Sequence, residues 1–311
     1  MDKEKTPASS TTDYYFDSYS HYGIHMEMLK DYHRTTSYRD AIWRNAYLFK
    51  GKVVLDVGCG TGILSMFAAK AGARKVIGVD CSNIAVQARQ IVKDNGLDNV
   101  ITIIQGKVED LQLDEKVDII ISEWMGYFLL YESMLNTVLY ARDRWGVPGV
   151  RLLPDAANMY VCGINDEQYM HENFNVWENV QGIDFSYFKR LSYIEPLVDT
   201  VERQQIVTNT AKLVSFDINT VKEVDLSFTA EFTLVAGQTG KGGHKSHSAP
   251  PPYNNNARAC NNTGNNGGRT SEHNNSANVM RVDALCVYFD TPFTAGHEIV
   301  VLTTTPYASA T

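Results

Sequence analysis

Between residues 52 and 122 the apolar residues fall into short continuous runs, and a stretch of helical spacing follows most of them. Lys52–Val57 predicts a strand, Gly58–Gly62 a glycine turn and Ile63–Lys70 a helix, with Gly72 placed to close it. Lys75–Asp80 predicts a second strand. Ser82–Asn95 predicts a helix, with Ser82 as N-cap and Gly96 after its end. Ile101–Gln105 and Val117–Ser122 predict two more strands, and Ser133–Trp145 a further helix. Strands alternating with helices imply parallel strands joined by right-handed crossovers, hence an open doubly wound α/β sheet over residues 51–154. Ahead of it, residues 1–13 are polar and predict a disordered tail, and residues 14–50 predict aromatic-rich helices.

The period then changes. Leu226, Phe228, Ala230, Phe232 and Leu234 alternate with Ser227, Thr229, Glu231 and Thr233, which predicts a half-buried antiparallel strand. Ala284–Phe289 and Ile299–Thr303 have the same character. Residues 155–311 are therefore expected to form an antiparallel β domain, with the aromatic-rich stretch around residues 165–193 projecting from it as helices. Residues 239–278 interrupt this domain. They hold ten Asn, six Gly and three consecutive Pro, and no Val, Ile, Leu, Met, Phe or Trp. Such a segment cannot offset its ordering entropy by burial, so a disordered insertion is expected.

Composition narrows the classes. Of 311 residues, 44% are hydrophobic and 21% charged, as in an ordinary globular protein. The net charge is −8, and since the insertion carries +3, the rest carries −11. That argues against a general nucleic-acid binder and permits steering of basic partners. Five cysteines without a Cys-x-x-Cys pair give neither a zinc spacing nor a disulfide framework. With no signal-peptide pattern and no apolar run of membrane-spanning length, an intracellular soluble protein is expected, and no metal and no membrane partner.

The strand Val53–Leu55 runs into Asp56-Val57-Gly58-Cys59-Gly60-Thr61-Gly62. Glycines at a strand-to-helix turn let backbone approach a ligand. Asp80, at the end of the next strand, stands where a carboxylate takes ribose hydroxyls. The spacing is G-x-G-x-G rather than the dinucleotide G-x-G-x-x-G. Asp56 would repel a pyrophosphate and welcome an ammonium. This favours S-adenosylmethionine over a nicotinamide cofactor, with Val108-Glu109 placed for the adenine. Beyond the fourth strand lies Ser122-Glu123-Trp124-Met125-Gly126-Tyr127-Phe128-Leu129-Leu130-Tyr131-Glu132-Ser133-Met134, two carboxylates on one loop at a strand's carboxyl end. No Asp/Asn-Pro-Pro-Tyr/Phe element or Pro-Cys nucleophile of nucleic-acid methyltransferases is present.

That loop resembles the double-glutamate loop of the protein arginine methyltransferases. Tyr15-Phe16-x-x-Tyr19, the stretch from Gly23 to Asp31 with Arg34, Val53–Gly62, Val108-Glu109, Trp177–Gly182 and Glu195–Val198 resemble other marks of that family. The resemblance implies a Rossmann-like S-adenosylmethionine-dependent methyltransferase domain, a β-barrel-like domain and a helical dimerisation arm. It implies transfer of methyl groups to protein arginine, with S-adenosylhomocysteine as product. It assigns catalysis to Glu123 and Glu132, and the cofactor to His25, Arg34, Asp56, Gly58, Gly60, Asp80, Val108 and Glu109. Arg34 would pair with the cofactor carboxylate. The substrate pocket would include Tyr15, Tyr19, Met28 and Met134, the two methionines marking the type I subfamily that makes asymmetric dimethylarginine. Arg/Gly-rich RNA-binding proteins or histones are the implied substrates, a homodimer or larger ring the implied assembly, and cytoplasm and nucleus the implied location. Asp80 departs from the family's usual glutamate. A Thr-His-Trp loop, whose histidine would pair with Asp31, is not found after Thr304–Thr311, so the alternative reading is an impaired or regulatory partner of an active enzyme. Gly267-Gly268-Arg269 resembles a substrate and raises self-methylation of Arg269.

Overall fold

The computed structural model describes residue 19, residues 21–237 and residues 280–307. The expectations of a disordered tail, a disordered insertion and self-methylation at Arg269 fall outside the described residues, as does Tyr15.

Among the described residues two helices come first, α1 (Tyr22–Lys30) and α2 (Tyr32–Trp43). Asp31 separates them, and its carboxylate caps α2 by accepting from Arg34 N at 3.0 Å. The alternating region then follows as β1 (Val53–Val57), α3 (Ile63–Lys70), β2 (Lys75–Asp80), α4 (Ile84–Asp94), β3 (Ile101–Gln105), β4 (Val117–Ile121), α5 (Leu135–Trp145) and β5 (Gly146–Leu153). The five strands form one parallel sheet in the order β3-β2-β1-β4-β5. All five residues of β1 are buried, as a strand covered on both faces requires. The strand order reverses between β1 and β4, so the crevice at their carboxyl ends is where an open sheet of this kind holds ligands. Val57 ends β1 there, and Ser122 follows β4.

Two expected helix starts are corrected. Ser82 does not cap α4. Its N and Oγ both donate to Asp80 Oδ1, at 2.8 and 2.7 Å, which turns the hydroxyl toward that carboxylate and away from the helix. The helix α5 starts at Leu135 rather than Ser133, since Ser133 has φ 56°, outside the helical region.

A second sheet has the order β7-β6-β8-β9, built from β6 (Ala156–Ile164), β7 (Ala211–Asp217), β8 (Ala284–Phe293) and β9 (Val300–Thr303). β8 and β9 pair antiparallel, Phe293 with Val300 and Asp290 with Thr303. The stretch around 165–193 is helical, as α6 (Glu167–Asn173), a 3-10 turn at Asn175–Glu178 and α7 (Ser186–Ser192). The strand expected at Leu226–Leu234 is not formed. A strand needs a neighbour to take its backbone N–H and C=O groups, and among the described residues this stretch is followed only by a single bridge, Thr208 to Ala236.

By compactness the chain forms two units. One takes in the chain through Tyr160 together with Lys212–Phe232 and Val287–Thr305, and the other takes in Val161–Ala211 and Thr233–Cys286. This division by compactness falls inside β6. Ala157, Met159, Phe216 and Ile218 join the apolar layer of Leu55, Ile120 and Leu139 in the first unit, and Phe293 and Leu302 join that of Tyr38, Phe49 and Ile121. No described helix is long and apolar enough to cross a membrane.

Candidate active site

Two loops meet at the crevice, and a side-chain hydrogen bond adds to the ladder between β1 and β4 at their carboxyl ends. Ser122 Oγ, buried, donates to the Val57 carbonyl at 2.8 Å.

The first loop is the glycine turn. Gly58, Gly60 and Gly62 have φ of 70, 52 and 83°. A Cβ on Gly58 would lie 2.2 Å from Met134 Cε, so this position is glycine for space as well as for φ. Asp80, from the end of β2, braces the turn by accepting from Gly60 N at 2.9 Å. His25, on α1 and buried, stacks over the turn. Its ring atoms would lie 3.5 Å from a Cβ on Gly60, and its Nε2 lies 2.7 Å from the Tyr19 carbonyl.

Asp56 is fully buried at the head of the turn. Ser65 Oγ, in the first turn of α3, donates to its Oδ2 at 2.6 Å, while Oδ1 has no partner. Burial pushes its carboxyl up to about 7, against the Ser65 hydrogen bond, which lowers it. An orphaned buried carboxylate oxygen beside a glycine turn suits a ligand carrying an ammonium group. The residues present therefore fit S-adenosylmethionine. Among the described residues no group of acids, histidines and cysteines is placed to hold a metal.

The second loop carries the two glutamates. Glu123 Oε2 accepts from Arg34 Nη1 at 2.7 Å, an ion pair whose side chains are 21% and 22% exposed. The resemblance had implied that Arg34 serves the cofactor carboxylate; here it holds Glu123. Burial raises the Glu123 carboxyl, Arg34 opposes that, and the negative charge of Glu132 adds to it. Glu132 accepts from Tyr19 Oη at 3.0 Å. Tyr19, Arg34, Glu123 and Glu132 thus form one group.

This loop is strained. Phe128, Leu129 and Ser133 have φ of 51, 64 and 56°, values that cost non-glycine residues on the order of 1–3 kcal/mol each. Burial of Leu129 (1% exposed) offsets part of the cost, and Gly126 N donates to the Leu129 carbonyl at 3.1 Å to close the loop. A Cβ on Gly126 would lie 2.8 Å from Glu132 Cγ, so glycine there lets Glu132 close in.

The other expected residues are placed as follows. Asp80 and Glu109 flank Cys81, whose thiol is raised by burial and by both charges. Glu109 Oε1 accepts from Thr137 Oγ1 at 3.1 Å on the side of α5, and Val108 beside it is buried. Met134 packs on Gly58, whereas Met28 engages through its backbone, accepting from Thr35 Oγ1 at 3.5 Å. Sequence reasoning passed over Tyr38, Ser65 and Ser122. Tyr38, buried on α2, donates from Oη to the Ser122 carbonyl at 2.8 Å and so fixes the root of the glutamate loop. Its signal was available, since Tyr38 lies four residues after Arg34 on the same helix face.

Residues 155–311 match the family model described as the arginine methyltransferase oligomerization subdomain. A protein arginine N-methyltransferase 1 of Chlamydomonas reinhardtii is 49% identical over 303 residues, which cover 97% of this chain and 76% of that protein. The chain belongs to the protein arginine N-methyltransferases. The Saccharomyces cerevisiae protein arginine N-methyltransferase 1 is 56% identical over 75% of this chain and 67% of its own length. Among solved structures, the Trypanosoma brucei PRMT1 enzyme–prozyme heterotetrameric complex with AdoHcy is similar at 70% identity and a TM-score of 0.79, covering 95% of this chain and 81% of the matched one. The Arabidopsis thaliana protein arginine methyltransferase 10 is similar at 29% identity and a TM-score of 0.73, over the same shares. Residues 32–136 also match the ribosomal protein L11 methyltransferase model. The fold class, the S-adenosylmethionine cofactor and the type I protein-arginine methyltransferase activity expected from the sequence all hold. The alternative of an impaired partner finds no support in these curated relatives, which are named as methyltransferases.

Proposed function

We propose that Glu123 and Glu132 bind the substrate guanidinium and direct one of its nitrogens to the methyl group. The observation that carries the reading is the Arg34–Glu123 pair, which supports Glu123 as a carboxylate that accepts a guanidinium at 2.7 Å in this crevice. S-adenosylmethionine supplies a methyl group on a positively charged sulfur. The attacking guanidinium is itself always charged and has no free lone pair. Paired carboxylates draw the positive charge toward the nitrogens they hold and leave the remaining nitrogen more nucleophilic. They also offset the two cations brought together as the S–CH3 bond breaks and the N–CH3 bond forms, and the proton displaced from the methylated nitrogen passes to a carboxylate and on to solvent. Tyr19, donating to Glu132, orients that carboxylate.

Asp56 would take the cofactor's ammonium on its orphaned Oδ1, and Gly58 and Gly60 would give its methionine end room. His25 would serve the ribose, Asp80 would accept from ribose hydroxyls, and Val108-Glu109 would hold the adenine. Arg34 would also pair with the cofactor carboxylate, which would bring cofactor and Glu123 to one side chain. Met28 and Met134 bound the substrate pocket, with Tyr15 and Tyr19. Substrates are Arg/Gly-rich segments, as in RNA-binding proteins or histones, steered by the −11 charge of the chain outside its insertion. The chain works as a homodimer or larger ring. Tyr187, Tyr193 and Ile194, at and after α7, are 71, 62 and 76% exposed, apolar side chains that a second copy would cover. Cytoplasm and nucleus, where such substrates reside, are the proposed location.

The test is methyl transfer from radiolabelled S-adenosylmethionine to an Arg–Gly-rich peptide, beside Glu123→Gln. The expected loss is about 100-fold or more in kcat with cofactor affinity nearly kept. Full activity in the variant would sink the assignment.

A further inference from the structure

The second sheet holds a pair of thiols that the reaction does not use. On β6 and β8, Asn158 Nδ2 donates to Asp290 Oδ1 at 2.6 Å, and the Tyr160 and Tyr288 rings stack with centroids 5.2 Å apart. Residue numbers rise on one strand as they fall on the other, in steps of two along one face. The next step brings Cys162 opposite Cys286. Both thiols are free, and they are close enough to interact. Directly opposed residues in an antiparallel ladder have Cα atoms about 4.5 or 5.5 Å apart, and both spacings lie within the range a disulfide spans.

The two thiols differ. Cys162 is fully buried, and its interaction with Cys286 together with burial raises its thiol. Cys286 is part-exposed, between Leu285 and Val287, which are 58 and 41% exposed, and its thiol is lowered by the interaction with Cys162. The part-exposed Cys286 is the thiol an oxidant reaches, and the buried Cys162 opposite it is placed to resolve it. The pair stands at the root of the arm. Asp283, three residues before Cys286, accepts from Asn165 Nδ2 at 2.9 Å and from Asp166 N at 3.0 Å, and Asp166 caps α6.

We propose that Cys162 and Cys286 are a peroxide-reactive site that closes reversibly to a disulfide and staples the root of the arm. The Cys286 thiolate attacks one oxygen of hydrogen peroxide, the O–O bond breaks, and the departing hydroxide leaves as water after taking up a proton. Cys286 is then a sulfenic acid. The Cys162 sulfur attacks the Cys286 sulfur, the S–S bond forms, the S–O bond breaks, and the hydroxide leaves with the Cys162 proton as a second water. Two thiols and one peroxide become one disulfide and two waters. Sulfur is oxidised and the peroxide oxygens are reduced.

The full chain is treated with hydrogen peroxide, its remaining thiols are alkylated, and it is mapped by mass spectrometry without reduction. The expected result is a linked pair of peptides carrying Cys162 and Cys286, 2 Da lighter than their sum. A thiol reductant restores both, and Cys286→Ser removes the link while Cys81→Ser leaves it. The proposal is overturned if both cysteines stay alkylatable in the wild-type chain. It is equally overturned if Cys286 proceeds to sulfinic acid unlinked, or if it pairs with any cysteine other than Cys162. The wild-type map alone decides, whether or not a variant folds.

Discussion

The two loops at the carboxyl ends of β1 and β4 meet the same demand for left-handed backbone in opposite ways. The turn after β1 uses glycine at each such position, Gly58, Gly60 and Gly62. The loop after β4 places Phe128, Leu129 and Ser133 there instead. A turn without side chains leaves its backbone open to close approach. The loop that carries Glu123, Glu132 and Met134 keeps its side chains, and Leu129 in particular anchors it in the core. The strain is concentrated in the loop that carries the two glutamates and is absent from the glycine turn.

Three changes would break or sharpen this contrast, besides Glu123→Gln, whose effect is the largest. In Gly126→Ala the new methyl group meets Glu132 Cγ at 2.8 Å. Displacement of Glu132 is expected to lower kcat by about 100-fold. Cofactor affinity is unchanged, and isothermal titration separates the two effects. If affinity falls as much as kcat, the loops are not divided by task.

Asp56 gives a pH signature belonging to the glycine turn alone. Its folded pKa is about 7 against an ordinary 3.8, so the folded chain binds the extra proton between those values. Stability of the cofactor-free protein therefore falls as pH rises from about 4 to about 7 and is level above, a loss on the order of 4 kcal/mol from this group. Asp56→Asn should remove the loss in denaturant titrations at pH 5 and 8. Cofactor binding, which needs the ionised form, should weaken about tenfold for each pH unit below 7 in the wild type. A pH-independent affinity over 5.5–7.5 would take Asp56 out of the site.

Phe128→Gly is the smallest. The side chain is half-exposed and its φ is 51°, so glycine relieves strain at little loss of packing. A gain of about 1 kcal/mol is expected, less the entropy glycine adds to the unfolded chain. Thermal unfolding measures it, and a destabilised variant would show that Phe128 is held by contacts rather than against them.

The inner strands of the parallel sheet were legible because they are buried on both faces, whereas the half-exposed edge strand β5 was not read. Val53–Val57 and Val117–Ile121 are near-continuous apolar runs punctuated by Gly58 and Glu123. The second sheet was harder to read. Ala157, Met159 and Val161 do alternate, but their signal was overshadowed by Leu226–Leu234, whose cleaner alternation forms no strand among the described residues. Alternation states which face a segment would bury, not whether a neighbour exists to pair with it. Within the candidate site, Asp56 and Asp80 were read from their places at strand ends, and Arg34, Glu123 and Glu132 from the family resemblance. Ser65, Tyr38 and the orphaned Oδ1 of Asp56 were not, because they depend on which atoms meet after folding.

The Ser122–Val57 bond has a consequence for redesign. Added to the strand ladder, it makes the ends of β1 and β4 a single mechanical piece, with Tyr38 as its third attachment. A graft that moves the glutamate loop onto another methyltransferase scaffold, or replaces the glycine turn to accept a bulkier cofactor analogue, inherits a mismatched seam unless all three elements travel together. The transferable module is therefore the crevice floor, with both strand ends and the middle of α2, rather than either loop.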